Sequence, residues 1–392
     1  MMDDDGRRHA SKRHGLLKIL LRVCNVPTLF RCATTCKAWR RLIANPFFLG
    51  RRWPENTRHT SSRLGVVLGG QGGKNDGNDG VPTFVPASRS ALEQDRRFLG
   101  SFVHAPAGLL DHVTPLTSRC GLLLVRLARP SPSRPGHERG LAYVAACNLL
   151  TRTCHVLLPI KYRLLLYMRC CTIATGEDCC SGEQDRAVPS PKHSAFFKVL
   201  IICDVGANYD LHVFSSAHGT DWSALGNCFN HHPEHRMLLH VGQCHAAVSR
   251  GMARWLFQED MSDYYTLDVS LETGHAALTK LGMVDRSLYL YMPPRLGIAT
   301  DGELSFVCLY HRRFLLEWPK YNLIDTGHFF CLAGEMSGTL HIVDCHRRVY
   351  MTVLETRAIQ EVTDQFCGLN CLTMVPPEIE WPAFFMSRLG GR

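Results

Sequence analysis

The sequence predicts a mainly β protein with a small helical unit at its N-terminal end. Two observations predict it. Residues 16–47 hold three short segments whose apolar side chains recur at helical spacing. After them the chain breaks into short apolar runs, each bounded by Gly, Pro, Asp or Asn, as β-strands are.

The first helix is expected over residues 15–24. Leu16, Leu17, Ile19, Leu20, Leu21 and Val23 cover more than one of its faces. A helix this short and this apolar is not stable alone, so it buries one face in its own unit and offers another to a partner. Asn25 ends it, and Pro27 suits the first turn of the next helix. In that second helix Leu29, Cys32, Cys36 and Trp39 fall on one stripe. A third element carries Leu42 and Ile43 and stops at Asn45-Pro46, because a residue before proline avoids helical backbone.

Strands are expected at residues 65–68, 83–85, 121–125, 141–145, 197–203, 211–214, 264–269, 304–309 and 340–343. Loops are expected at 69–80, 129–140 and 175–193, and none is long enough to split the body. Leu149-Leu150-Thr151-Arg152, Leu271-Glu272-Thr273-Gly274 and Leu354-Glu355-Thr356-Arg357 each follow an apolar run. Their spacings are near multiples of about 41 residues, and a four-stranded propeller blade takes about 40–50. The fold expected is therefore a three-helix unit followed by a β-propeller of about seven or eight blades. The organisation is a basic tail at 1–14, the helical unit at 15–50, a linker at 51–63 and the β body at 64–392.

The formal net charge is +9, and it is unevenly placed. Residues 1–63 carry 14 Lys/Arg against 4 Asp/Glu, so the remainder is close to neutral. The basic end steers an acidic partner toward the helices. No nucleic-acid reader motif accompanies the charge, which weighs against that class of partner.

The 18 cysteines are scattered among apolar residues, with no leader-like segment at the start and no Asn-x-Ser/Thr sequon. They read as reduced, small hydrophobes, and the expected location is cytoplasmic, nuclear or both. No apolar run reaches the length of about 18 residues that spans a membrane. Cys170-Cys171, Cys179-Cys180 and the histidines His231, His232, His235 and His240 lack structural zinc spacing, so neither metal nor other cofactor is expected. Gly73-Lys74 is followed by Asn75 where a phosphate loop needs Ser or Thr, and no G-x-S-x-G or H-E-x-x-H occurs. The apolar tail around Trp381, Phe384, Phe385 and Leu389 is expected to close or cap the β body.

Residues 16–47 resemble the F-box. The matching pieces are Leu16-Leu17-x-Ile19-Leu20-Leu21-x-Val23, Pro27, and Leu29-x-x-Cys32-x-x-x-Cys36-Lys37-x-Trp39-Arg40-x-Leu42-Ile43, closed by Pro46-Phe47. The body resembles the propeller domain that follows the box in large plant F-box families, through Cys120-Gly121-Leu122-Leu123-Leu124, Cys147-Asn148-Leu149-Leu150-Thr151-Arg152 and Pro377-Glu378-Ile379-Glu380-Trp381-Pro382. The resemblance implies a substrate-recognition subunit of a Skp–cullin–F-box ubiquitin ligase, itself non-catalytic. It implies that Leu16, Leu17, Leu20, Leu21, Pro27, Leu29, Cys36, Trp39, Leu42 and Ile43 bind an acidic Skp-type adaptor, and through it a cullin. The β body would hold a protein substrate that the sequence does not identify. The other reading is a propeller scaffold outside any ligase, with a degenerate box: the family opens its first helix with Leu-Pro and an acidic residue, and Arg13-His14-Gly15 stand there in this chain.

Overall fold

The computed structural model describes residues 14–23, 26–54, 65–70, 83–86, 113–128, 142–148, 153–157, 168–179, 196–205, 208–217, 222–230, 237–239, 245–259, 263–283, 295–298, 303–307, 330–333, 339–343, 349–353, 359–363, 371–375 and 381–389. Residues 1–13 of the basic tail, positions 71–80 of the first loop, the 129–140 loop, His231, His232, His235 and His240, and the repeats at Leu149 and Leu354 lie outside them. The protein is mainly β with four short N-terminal helices.

Helix α1 covers residues 14–21, α2 is Val26–Thr35, α3 is Lys37–Ile43 and α4 is Pro46–Arg52. The stripe expected to run through one helix from Leu29 to Trp39 is divided between α2 and α3. The break has a local cause. The Thr34 and Thr35 hydroxyls donate to the carbonyls of Arg31 and Cys32, both at 2.7 Å, at the end of α2. Cys36 is then extended (φ −154°, ψ 158°), and its Sγ accepts the Trp39 N–H at 3.4 Å, capping α3. Pro46 ends one helix and starts the next, with the Asn45 side chain accepting the Phe47 N–H at 2.8 Å. Helix α4 was not expected, and it takes up the start of the predicted linker.

The strands follow in order. They are β1 (Gly65–Gly70), β2 (Thr83–Pro86), β3 (Val113–Arg119), β4 (Leu122–Ala128), β5 (Ala142–Asn148), β6 (Thr153–Val156) and β7 (Met168–Thr175). A short helix, α5 (Gly176–Cys179), occupies the start of the third expected loop. Then come β8 (Phe197–Val205), β9 (Asn208–Ser215), β10 (Trp222–Asn230), β11 (Met237–Leu239), β12 (Ala247–Ser249), β13 (Met252–Glu259), β14 (Asp263–Ser270), β15 (Ala276–Met283), β16 (Arg295–Ile298) and β17 (Leu304–Val307). The last are β18 (Phe330–Ala333), β19 (Thr339–Val343), β20 (Val349–Val353), β21 (Ile359–Thr363) and β22 (Cys371–Val375), followed by helix α6 (Trp381–Leu389).

All strand pairs within the sheets are antiparallel, and the described residues form six sheets. β3 to β6, β7 to β10 and β18 to β21 are simple four-stranded meanders, and β16 pairs with β17. In the sheet of β11 to β15, both β11 and β12 pair with β13. The remaining sheet joins the two ends of the chain, in the order β2-β1-β22. Two hairpin turns, Cys120-Gly121 (φ 47° and 80°) and Arg250-Gly251 (φ 50° and 74°), put consecutive residues in left-handed backbone. That conformation matches the twist of the flanking strands and is why glycine stands second in both.

The sheets stack face on face. In β8, Phe197, Val199, Ile201 and Cys203 pack with Leu122, Leu124, Val144 and Ala146 of the preceding sheet. The alternate residues Leu200 and Ile202 pack with Trp255, Phe257, Leu267 and Val269 of the following one. Period-two alternation therefore gives each central strand two buried faces, and its sequence reads as an unbroken apolar run. Cys170 and Cys171 sit side by side on β7, yet they belong to different cores, so their side chains leave opposite faces of the sheet.

The leading strands touch one another in turn: β22 meets β3, β3 meets β7, β12 meets β16 and β16 meets β18. A parallel bridge from Cys171 on β7 to His245, just before β12, carries the same order across the third sheet. One buried ion pair ties three sheets together. Arg119, at the end of β3, donates from Nε to Asp178 Oδ2 at 2.8 Å and from Nη2 to Asp178 Oδ1, on α5. The same Nη2 donates to the Val248 carbonyl of β12 at 3.0 Å. Asp178 also accepts the Thr175 N–H (2.8 Å) and hydroxyl (3.0 Å). Burial alone would raise the Asp178 carboxyl, but the Arg119 charge and these donors outweigh it and hold the group below its ordinary value.

Among the described residues no helix is long and apolar enough to cross a membrane.

Candidate docking site

The four N-terminal helices and α6 share one core. Leu20, Leu29, Ala33, Ile43, Phe48, Leu49 and Trp53 are buried in it together with Trp381, Phe385 and Leu389. The Phe385 ring lies 5.4 Å from Trp53 and 6.0 Å from Phe30, centroid to centroid. Arg40 Nε donates to the Leu389 carbonyl at 3.1 Å, so a cation meets the negative end of α6. Arg52 Nη2 donates to the Val23 carbonyl at 3.1 Å, closing α1 against α4. This core continues into Val113, Leu123, Val125, Leu127, Ala145 and Cys147 of the β3–β6 sheet and into Val375 of β22.

The expected docking residues divide into three groups in the structure. Leu20, Leu29 and Ile43 are at most 1% exposed. In this structure they lie in the interior of the unit, packed with Phe48, Leu49, Trp53 and Phe385. Leu16, Leu17, Leu21, Trp39 and Leu42 are half-buried against that core and keep part of their surface outward. Cys36 is exposed but serves as the cap of α3, and Pro27 stands in the first turn of α2.

Two residues outside that set are the most exposed large apolar groups of the described chain: Ile19 on α1 at 63% and Phe47 on α4 at 66%. Both were legible as apolar, but their outward direction follows from packing. The surroundings are uniformly basic. Residues 14–54 contain eight Lys/Arg and no Asp or Glu. Lys18, Arg22, Arg31, Lys37, Arg41 and Arg51 are exposed, and the Arg51 guanidinium lies 5.8 Å from the Phe47 ring centroid. Exposed apolar side chains on a unit whose charged side chains are all basic can bind a partner that presents apolar pockets in an acidic surface.

The tail was expected to close or cap the body. The cap is α6, and it seals the helical unit, while the closing strand is the earlier β22. Trp381, Phe385 and Leu389 recur every four residues, which is the helical signal within that apolar run. Among the described residues no group of three His, Cys, Asp or Glu side chains is arranged to hold a metal ion.

No family model matches the chain, and no curated sequence matches it. Solved structures similar to it include prolyl oligopeptidase B from Galerina marginata, at 8% identity and TM-score 0.31, covering 64% of this chain and 34% of that one. Fructofuranosidase from Schwanniomyces occidentalis matches at 9% identity and TM-score 0.28, covering 64% and 46%. The α-L-arabinanase of Penicillium chrysogenum matches at 9% and TM-score 0.21, covering 69% and 80%. The chain thus spans about a third to a half of the length of the first two. These structures are enzymes, and the expectation of a non-catalytic subunit is withdrawn on that finding. At such TM-scores none of them lends this chain its own activity.

Proposed function

We propose that this protein is a substrate receptor of a Skp–cullin–F-box ubiquitin ligase. In this reading α1 to α3 form the three-helix box, and the six described sheets belong to a β-propeller, expected to have seven or eight blades, that holds the substrate. The observation that carries the proposal is the combination of the Cys36-Lys37-Ala38-Trp39-Arg40 stretch with a helical surface that is wholly basic and presents Ile19 and Phe47. An acidic Skp-type adaptor fits that surface, and a cullin follows through the adaptor.

The test is co-purification with the adaptor. Ile19→Asp combined with Phe47→Asp should remove adaptor binding and leave the fold intact, since both side chains are exposed. Leu278→Asp, at an exposed leucine of β15, should bind as wild type. Undiminished binding by the double variant would reject the proposed face.

A second reading is favoured by α6. A C-terminal helix that contributes Phe385 to the core makes the helical unit a seal over the meeting chain ends, and the protein a propeller scaffold outside the ligase. Absence of adaptor binding by the wild-type protein selects this reading.

A further inference from the structure

Cys147 and Cys154 face each other on two paired strands. They are register partners in the antiparallel β5–β6 pair, one position from its Asn148–Thr153 end. Directly opposed residues in such a pair have Cα atoms about 4.5–5.5 Å apart. That separation lies within the range of about 4.4–6.8 Å that a disulfide spans without backbone movement. Their Sγ atoms are 3.0 Å apart.

The two thiols are unequal. Cys147 is fully buried on a central strand. Cys154 is half-buried on β6, the edge strand of its sheet, where Thr153, His155 and Val156 are exposed. The hydrogen bond between the sulfurs, reinforced by burial, pushes the Cys147 thiol up. The same bond holds Cys154 below its ordinary value. Cys154 is therefore the member a small reagent reaches, and the buried Cys147 stands in contact behind it.

We propose that Cys147 and Cys154 form a reversible dithiol–disulfide site, oxidised by a small-molecule disulfide of the glutathione type. The Cys154 thiolate attacks one sulfur of the small disulfide, forming a mixed disulfide and releasing one thiolate. Cys147 then gives up its proton to solvent and attacks the Cys154 sulfur, forming the intramolecular bond and releasing the second thiolate. The protein loses two electrons and two protons, and one small disulfide becomes two thiols. The site is on the sheet face that continues into the core of the helical unit, so the bond forms next to the packing that holds those helices.

The test equilibrates the full-length protein with oxidised glutathione, alkylates the remaining thiols and maps peptides by mass spectrometry. The expected result is a peptide cross-linked through Cys147 and Cys154 with no glutathione kept on either, reverting to two alkylated cysteines after dithiothreitol. Cys147→Ala should trap glutathione on Cys154, because nothing resolves the mixed disulfide. Two alkylated cysteines in the treated wild type, or glutathione persisting on wild-type Cys154, would overturn the proposal. The wild-type experiment decides it even where the variant folds poorly.

Discussion

Replacing Asp178 by alanine removes a carboxylate that pairs with Arg119, whose side chain is 7% exposed and sits where three sheets meet. Breaking a buried pair from one side leaves an uncompensated charge and costs about 3–5 kcal/mol. For a body of this size, 1 kcal/mol moves the melting temperature by about 2–4 °C, so a fall of roughly 10 °C is expected. The cause can be separated from the loss of packing. In the double variant Arg119→Met with Asp178→Leu the buried charge is gone, and apolar replacement of a buried pair is often close to neutral. What remains is the loss of partners for the Thr175 N–H and hydroxyl, which Asp178→Ala loses as well, and for the Val248 carbonyl, which costs about 1–3 kcal/mol. The double variant should therefore be more stable than Asp178→Ala despite carrying two changes. Urea unfolding followed by the fluorescence of the β body, in which Trp255 is fully buried, measures both. A double variant no better than the single one would refute the argument that unpaired charge sets the cost.

Further expectations concern acidity, the tail, adaptor kinetics and the cysteine pair. Burial, reinforced by the Arg295 charge, lowers His245 from 6.5 to about 4. Above pH 6.5 it is neutral folded and unfolded, so its contribution is fully present; between 6.5 and 4 the unfolded chain takes up the proton first, and about 3 kcal/mol is lost. Melting temperatures from pH 8 to 4 should fall in that window, and His245→Gln should flatten the fall. The Asp178 share, held by a carboxyl below its ordinary 3.8, should go at lower pH still. Phe385→Ala opens a cavity beside Trp53 and should cost about 3–5 kcal/mol, read as faster amide exchange in α4 and α6. On the proposed docking, Lys37→Glu with Arg41→Glu should slow association with the Skp-type adaptor by about tenfold at low salt and less at high salt. The Cys147–Cys154 bond closes a short loop, and oxidation should raise stability by about 2 kcal/mol; unchanged urea midpoints would contradict this.

Much of this architecture was legible along the chain. The strands expected at 197–203 and 264–269 fall within β8 and β14, and the one expected at 121–125 lies in β4 apart from the turn residue Gly121, because runs such as Phe197–Val205 bury both faces of a central strand and have no other way to hide them. The basic character of the N-terminal end was equally plain, since charge needs no fold to be counted. Local chemistry at Thr35-Cys36 and Asn45-Pro46 was harder to read. A thiol cap and a proline that both ends and begins a helix carry weak signals, so the start of α3 was misplaced and α4 was not expected. What only the tertiary structure decided is which apolar side chains turn inward. Leu20, Leu29 and Ile43 look like Ile19 and Phe47 in sequence, yet the first three are spent on the unit's own core and the last two are left outside. The same holds for residues far apart in the chain: β1 pairs with β22, α6 completes the N-terminal helices, and Arg119 finds Asp178. Periodicity reports which face of an element is apolar. Which partner covers that face depends on contacts between residues far apart in the chain, and no local pattern encodes them.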